Sequence, residues 1–354
     1  MVMKKLLTIL FLAGASVQAQ DIHFSHIHNA HLQLNPANAG LFNGEQRASI
    51  NFKDQWASFS GAYRTYAASA DFALFRKKNK NAYMGAGLFA YRDVAGDLNF
   101  GTTQVFASLS GIVIAGDNSM LSGGIQAGFG QRSIETMNMQ WGSQYADGSF
   151  DPNLPTFENS ALFDNYGFFD MAAGIAYRYD KLSSTISSNN EVLLDIGASV
   201  HHLTRPRSEF FSTETDDDRM PIKMLVHVNG VIGFEGTNFG IMPGALYMQQ
   251  GPHREVTLGA LFRVKVMDAA RYTGFIKELA YAFGTHVRFG DAIIPQLWLE
   301  MDAFALGVSY DFNTSSLTAA SRSKGGFEIS LRYVNLGRFY YKHPTNNPKN
   351  PSMF

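Results

Sequence analysis

His23, His26, His28 and His31 fall close together in the pattern H-x-x-H-x-H-x-x-H. Neutral imidazoles at such spacing bind Zn²⁺, Cu²⁺ or Ni²⁺, and two of them can share one ion. Only Asp21 offers a nearby carboxylate, and no thiolate is available because the chain has no cysteine. The pattern reads rather as amphipathic filler of an irregular segment packed in or below the lumen, so no metal and no other cofactor is assigned. Asp216, Asp217 and Asp218, with Glu214, offer hard oxygen ligands for Ca²⁺. They lack the alternating ligands and turn glycine of a calcium loop and read as a solvated acidic connection. Ser309, Ser330, His201, His202 and His286 supply the nucleophiles and bases of hydrolytic chemistry. No local signature joins any serine to a histidine, so no catalytic residue is assigned and the chain reads as non-enzymatic.

The elements carrying these residues are strands. In Glu255–Val266 one parity holds Val256, Leu258, Ala260, Phe262, Val264 and Val266, and the other holds Glu255, Thr257, Gly259, Leu261, Arg263 and Lys265. Phe304–Phe312 and Phe327–Tyr333 alternate in the same way. Successive strand side chains point to opposite faces, so each segment has one greasy face and one polar or small face. About fourteen such segments of roughly ten residues predict an all-β fold, a transmembrane antiparallel β-barrel. The parity rule sends Phe262, Phe304, Leu306 and Val308 to lipid. It sends Ser309 and a charge-paired set to the lumen: Glu255, Arg263, Lys265, Arg288, Glu300, Glu328 and Arg332. Arginine is accordingly expected to be tolerated at Ser309 and not at Leu306.

Residues 1–19 read as a signal peptide, with Lys4 and Lys5 before the apolar run Leu6–Ala13 and small residues at Val17-Gln18-Ala19. Residues 20–46 read as an N-terminal periplasmic or plug segment, 47–335 as an outer-membrane barrel, and 336–354 as a proline-rich tail. With 29 Lys and Arg against 30 Asp and Glu, the charge balance gives no footprint for nucleic acid. The connections Gln131–Phe169, Leu203–Pro221 and Asn313–Gly326 are long, and barrels place long loops on the outer face.

Asp21–Gly40, D-I-H-F-S-H-I-H-N-A-H-L-Q-L-N-P-A-N-A-G, resembles the opening of the PorP/SprF family, D-x-x-F-S-x…L-x-L-N-P-A-x-A-G. Further likenesses follow in order: Arg47 with Gln55-Trp56, Ala70-Asp71, Gln140–Gln144, and His201-His202-Leu203 with Pro206. Leu306–Tyr333 resembles the family's closing block, G-x-S-Y-D-x-N-x-S-x-L…G-G-x-E-x-x-L-x-Y. The resemblance implies an outer-membrane protein of type IX secretion and gliding in Bacteroidetes, without catalytic residues. It implies that the chain supports secretion or surface attachment of a partner such as an adhesin. Its other partners would be periplasmic or outer-membrane secretion machinery and outer-membrane lipid. The four histidines stand where the family usually has Gln, Tyr or aliphatic residues.

On that resemblance Asn35, Pro36, Ala39 and Gly40 are candidates for an element shaping the periplasmic mouth. Asn before proline favours an extended or turn conformation, and Gly40 permits positive φ. Trp141, Phe210 and Phe211 are the candidate partner anchors of the long loops, since aromatics dominate interface energies. Asp311 and Asn313 are expected to cap their own loop as Asx turns. The competing function is a channel for a small hydrophobic molecule.

Overall fold

A computed structural model describes residues 21–55, 63–76, 81–96, 98–135, 139–146, 148–156, 165–181, 189–207, 219–267, 278–315 and 324–335. The strands are β1 (Gln46–Gln55), β2 (Tyr63–Leu74), β3 (Ala82–Ala95), β4 (Phe100–Gly116), β5 (Ser119–Ser133), β6 (Tyr145–Ala146), β7 (Ser149–Phe150) and β8 (Tyr166–Lys181). There follow β9 (Val192–His201), β10 (Lys223–Gly233), β11 (Phe239–Gln250), β12 (His253–Met267), β13 (Leu279–Arg288), β14 (Ala292–Met301), β15 (Phe304–Asn313) and β16 (Lys324–Asn335). All but β6 and β7 join in one closed barrel of fourteen antiparallel strands. It closes by pairing β1 with β16, from Gln46 opposite Asn335 to Gln55 opposite Gly326. Closure leaves no unpaired edge, which a bilayer requires.

The period-two pattern sorts the wall as expected. In β15 Phe304, Leu306 and Phe312 are exposed outward, while Ala305, Gly307, Ser309 and Asp311 are buried inward. Around the circumference Leu88, Val105, Leu109, Ile125, Phe129, Ile175, Phe262 and Leu297 share the outward face, Phe129 being 72% exposed. So continuous an apolar band marks a lipid-facing surface rather than one made for water. The inward face is polar and charge-paired. Arg263 donates to Glu300 at 2.9 Å and Glu191 at 2.7 Å, Lys265 sits 3.1 Å from Glu191, and Arg288 lies 3.6 Å from Glu255.

One end of the barrel carries the start of β1, the end of β16 and tight turns such as Asp302-Ala303, where Asp302 adopts φ 50°. We call it the terminus end. The opposite, loop end carries the connections 134–165, 202–222 and 314–323. The first of these holds a feature that alternation did not signal, the two-residue hairpin β6–β7, closed by Tyr145 against Phe150.

The core lies inside the wall. Residues 21–45 thread the lumen, with one helical turn at His31–Leu34 and a 3-10 turn at Pro36–Asn38. Phe24, Ile27, Leu32 and Leu34 pack on wall residues Phe89, Phe106, Leu225 and Leu246. Ala37 and Leu41 pack on Tyr83, Ile112 and Met120. This is burial between a segment and a sheet, obtained without a second layer of structure.

Candidate functional site

The residues singled out in the opening and closing blocks meet inside the barrel, at the two ends of the lumen segment. Near the terminus end, Asn35 has extended backbone and its Oδ1 accepts the Ala37 N–H at 2.9 Å, starting the 3-10 turn with Pro36 at its first position. This is helix-start chemistry on a single turn. Gly40 then takes φ 68°, which a side chain rarely tolerates. Its N–H donates to Asp71 Oδ2 at 2.8 Å. The same carboxylate is gripped by Arg47, through Nε at 2.9 Å and Nη2 at 2.8 Å. Arg47 Nη2 also donates to Asn38 O at 3.0 Å, and its guanidinium lies 4.5 Å from the Phe42 ring. Arg47, Asp71 and the Asn35–Gly40 turn are thus one buried unit, although they lie on β1, β2 and the segment.

The wall holds the rest of the segment through its peptide carbonyls. Ser110, Ser122 and Ser199 each donate a hydroxyl at 2.6 Å, to Ala39 O, Ala37 O and Leu34 O. Gln296 donates to Ser25 O at 3.0 Å, Arg332 to His28 O at 3.1 Å and Lys53 to His23 O at 3.2 Å. The wall has glycines where the segment comes close: a Cβ added at Gly85 would collide with Ala39 O, and one added at Gly124 would stand 2.6 Å from Ala37 N and Cα.

Towards the loop end Ser25 joins the two blocks. Its N–H donates to Glu328 Oε2 at 2.7 Å and its hydroxyl to Asp311 Oδ1 at 2.7 Å. Asp311 also lies 3.1 Å from Arg288 and 3.5 Å from Lys53. Asp311 therefore differs from its expected role: it sits within β15, and its carboxylate serves the lumen segment rather than capping a loop. Asn313 closes the same strand and is buried.

The segment ends at Asp21, beside the first residue of β10 and the residue following β9. Asp21 Oδ2 accepts from Lys223 Nζ at 3.0 Å and pairs with His202 Nε2 at 2.9 Å. His202 Nδ1 bonds Asp170 Oδ2 at 2.7 Å. Burial alone would raise the Asp21 pKa, but Lys223 and His202 hold it well below the usual carboxylate range. Burial likewise disfavours charge on His202, and Asp21 and Asp170 outweigh it, lifting its pKa to about 9. The result is an imidazolium between two carboxylates.

For the four histidines of the segment, burial outweighs the nearby carboxylates, among them Glu328 beside His26 and Glu255 at 3.9 Å from His23. Burial lowers His26 to about 3 and holds His23, His28 and His31 well below the ordinary value. His26 packs on Trp298 with ring centroids 4.8 Å apart, and its Nδ1 meets Ser330 Oγ at 2.5 Å. As a neutral ring, its 3.2 Å approach to Glu328 is a polar contact and not an ion pair. Among the described residues no three His, Asp or Glu side chains are placed to hold a metal ion.

Of the loop candidates, Trp141 is half-buried before a 3-10 turn at Gly142–Gln144, and its N–H donates to Gln144 Oε1 at 3.2 Å. Gln144 reaches Pro152 O and Leu154 O, so it ties the loop to the hairpin. Phe210 and Phe211 lie outside the described residues. Sequence reasoning missed Asp170, Lys223 and the three serines. Their parity within β4, β5, β8, β9 and β10 marked them as inward-facing, but only the fold shows what they touch.

A family model described as type IX secretion system membrane protein PorP/SprF matches residues 16–333. No curated protein matches the chain. Among solved structures, the Ralstonia pickettii toluene transporter TbuX aligns with a TM-score of 0.44 and 9% identity, over 87% of this chain and 94% of that one. A Pseudomonas aeruginosa FadL homologue gives 0.41 and 11%, over 84% and 92%. BamA from Haemophilus ducreyi, lacking POTRA domains 1–3, gives 0.42 and 9%, over 82% and 70%. These are likenesses of barrel shape.

Proposed function

The chain belongs to the PorP/SprF family of type IX secretion system membrane proteins, and on that premise we propose that it is a non-enzymatic outer-membrane component supporting the secretion or surface attachment of a partner protein such as an adhesin. In this reading residues 1–19 direct export, the terminus end faces the periplasm, and the loop end faces outward. The partner meets the loops around Trp141 and the 202–222 connection, because loops bind and vary while strands are held by pairing and lipid. Secretion machinery meets the terminus end, where the Asn35–Gly40 turn and its Arg47–Asp71 grip shape the mouth.

The observation that carries the proposal is the family match over residues 16–333. The filled lumen agrees with it. Beside Asp21, His202 and Lys223 the gap measures about 20 Å³, room for about one water. A path for a small hydrophobic molecule would need an apolar passage, whereas this lumen is occupied by the chain's own residues 21–45.

The test is a deletion strain. It should lose one or a few proteins from the cell surface and regain them on complementation, with growth on hydrophobic nutrients unchanged. An unaltered surface proteome with defective uptake of such a nutrient would overturn the proposal in favour of a channel. Replacing the 134–165 loop should abolish display of the partner while barrel abundance is kept.

A further inference from the structure

We propose that the lumen wall is a binding site for irregular polypeptide main chain, and that residues 21–34 are its displaceable resident occupant. The wall's side chains address the main chain of residues 21–34 at both its carbonyls and its N–H groups: Ser199 donates to Leu34 O, Gln296 to Ser25 O, Arg332 to His28 O and Lys53 to His23 O, and Glu328 accepts from Ser25 and His26 N–H. Such bonds read a backbone path and leave side-chain identity largely free. Selectivity comes from the apolar seats of Phe24, Ile27 and Leu34 and from the Ser25 hydroxyl, which donates to Asp311.

The two ends of the occupant are held differently. At Gly40 the chain is both gripped by Asp71 and covalently continuous with β1. At Asp21 the holding bonds are non-covalent: from Lys223 and His202, and from its own N–H to Gln250 Oε1 at 3.3 Å. Loosening that end frees residues 21–34 to swing where they join the gripped Asn35–Gly40 turn. The wall they leave carries the buried polar residues Ser49, Asn51, Gln104, Gln126, Asn229 and Gln296 beside the apolar Phe89, Phe106, Leu225 and Leu246. A second polypeptide segment, which brings peptide groups and apolar side chains together, satisfies such a mixed surface. The inference goes beyond the secretion role. It is tested on the purified chain alone, so its failure leaves that role standing.

The experiment is single-channel conductance of the full-length chain in planar bilayers, with heat-modifiable mobility on gels certifying folded barrels. Wild type should remain closed. Asp21→Asn and, independently, Lys223→Gln should each raise the open fraction about tenfold. A synthetic peptide of residues 21–34 should close the opened pores, and a scrambled peptide of equal composition should not. Ser199→Ala and Gln296→Ala in the Asp21→Asn background, which remove the bonds to Leu34 O and Ser25 O, should weaken that closure about fivefold each, the equivalent of about 1 kcal/mol per hydrogen bond. Folded Asp21→Asn and Lys223→Gln barrels that both stay closed would overturn the proposal, because the occupant would then be fixed. Closure by the scrambled peptide as well as by the native one would also overturn it.

Discussion

Arg47 and Asp71 illustrate why a buried ion pair earns its place only through its full set of partners. Removing two charges from water costs several kcal/mol, and the geometry must return it. Here it does, because the Asp71 carboxylate takes two guanidinium bonds and the Gly40 N–H, and Arg47 adds Asn38 O. Asp71→Asn should therefore cost about 3–5 kcal/mol, since it leaves Arg47 buried and uncompensated; the midpoint of urea unfolding, followed by heat-modifiable mobility, measures it. His202 supports a second prediction, with a defined pH window. The groups facing it are Asp21 and Asp170, with Lys223 behind Asp21 and His201 adjacent in sequence. Its folded pKa, about 9, is raised, so its contribution is complete below the unfolded value near 6.5 and fades as pH rises through about 9. His202→Asn keeps a residue that accepts the observed φ of 58°. The variant should unfold more easily than wild type at pH 6–7, and the difference should vanish by about pH 10. An undiminished difference at the alkaline end would refute the imidazolium assignment.

At the scale of the element, the strands were legible and the segment's path was not. Phe304–Asn313 announces itself because one parity is apolar and the other small or polar, and lipid on one side enforces that alternation along the whole strand. Residues 21–45 have no period, so nothing in their spacing says that they run through the lumen. The quoted blocks named the right residues, Asp21, Ser25, Asn35, Gly40, Asp71, His202, Asp311 and Glu328, without saying that they touch. Those contacts join positions up to 303 residues apart, and only barrel closure brings them together. The same gap misleads at Ser309. An open polar lumen would accept an arginine there, but Ser309 is 5% exposed beneath a filled interior. Ser309→Arg should therefore disturb the barrel too, by overpacking. Leu306→Arg should fail differently, at insertion, with a cost of roughly 2–4 kcal/mol for a charge facing mid-bilayer lipid. Pulse-chase assembly into membranes separates the two: Leu306→Arg should not insert, whereas Ser309→Arg should insert and then unfold at lower urea.

For the whole molecule, the consequence of this threading is that the described chain begins and ends at opposite mouths. Asp21 lies beside Lys223, His202 and Gln250, the loop-end limits of β10, β9 and β11. Asn335 ends β16 opposite Gln46, at the terminus end. A barrel with an even number of strands puts the two ends of its wall on one side, and here the lumen segment carries the start of the described chain back across the full height of that wall. Because the sequence contains no cysteine, single cysteines report on each mouth without background. Leu203→Cys lies in an exposed turn at the loop end, and Thr237→Cys in an exposed turn at the terminus end. Ile22→Cys, half-buried near the end of the segment, should share the fate of Leu203→Cys. On intact cells a membrane-impermeant maleimide should label Leu203→Cys and, more slowly, Ile22→Cys, while Thr237→Cys reacts only after the outer membrane is opened. Labelling of Ile22→Cys together with Thr237→Cys, and apart from Leu203→Cys, would mean that the segment enters and leaves by the same mouth, and the end-to-end path would be wrong.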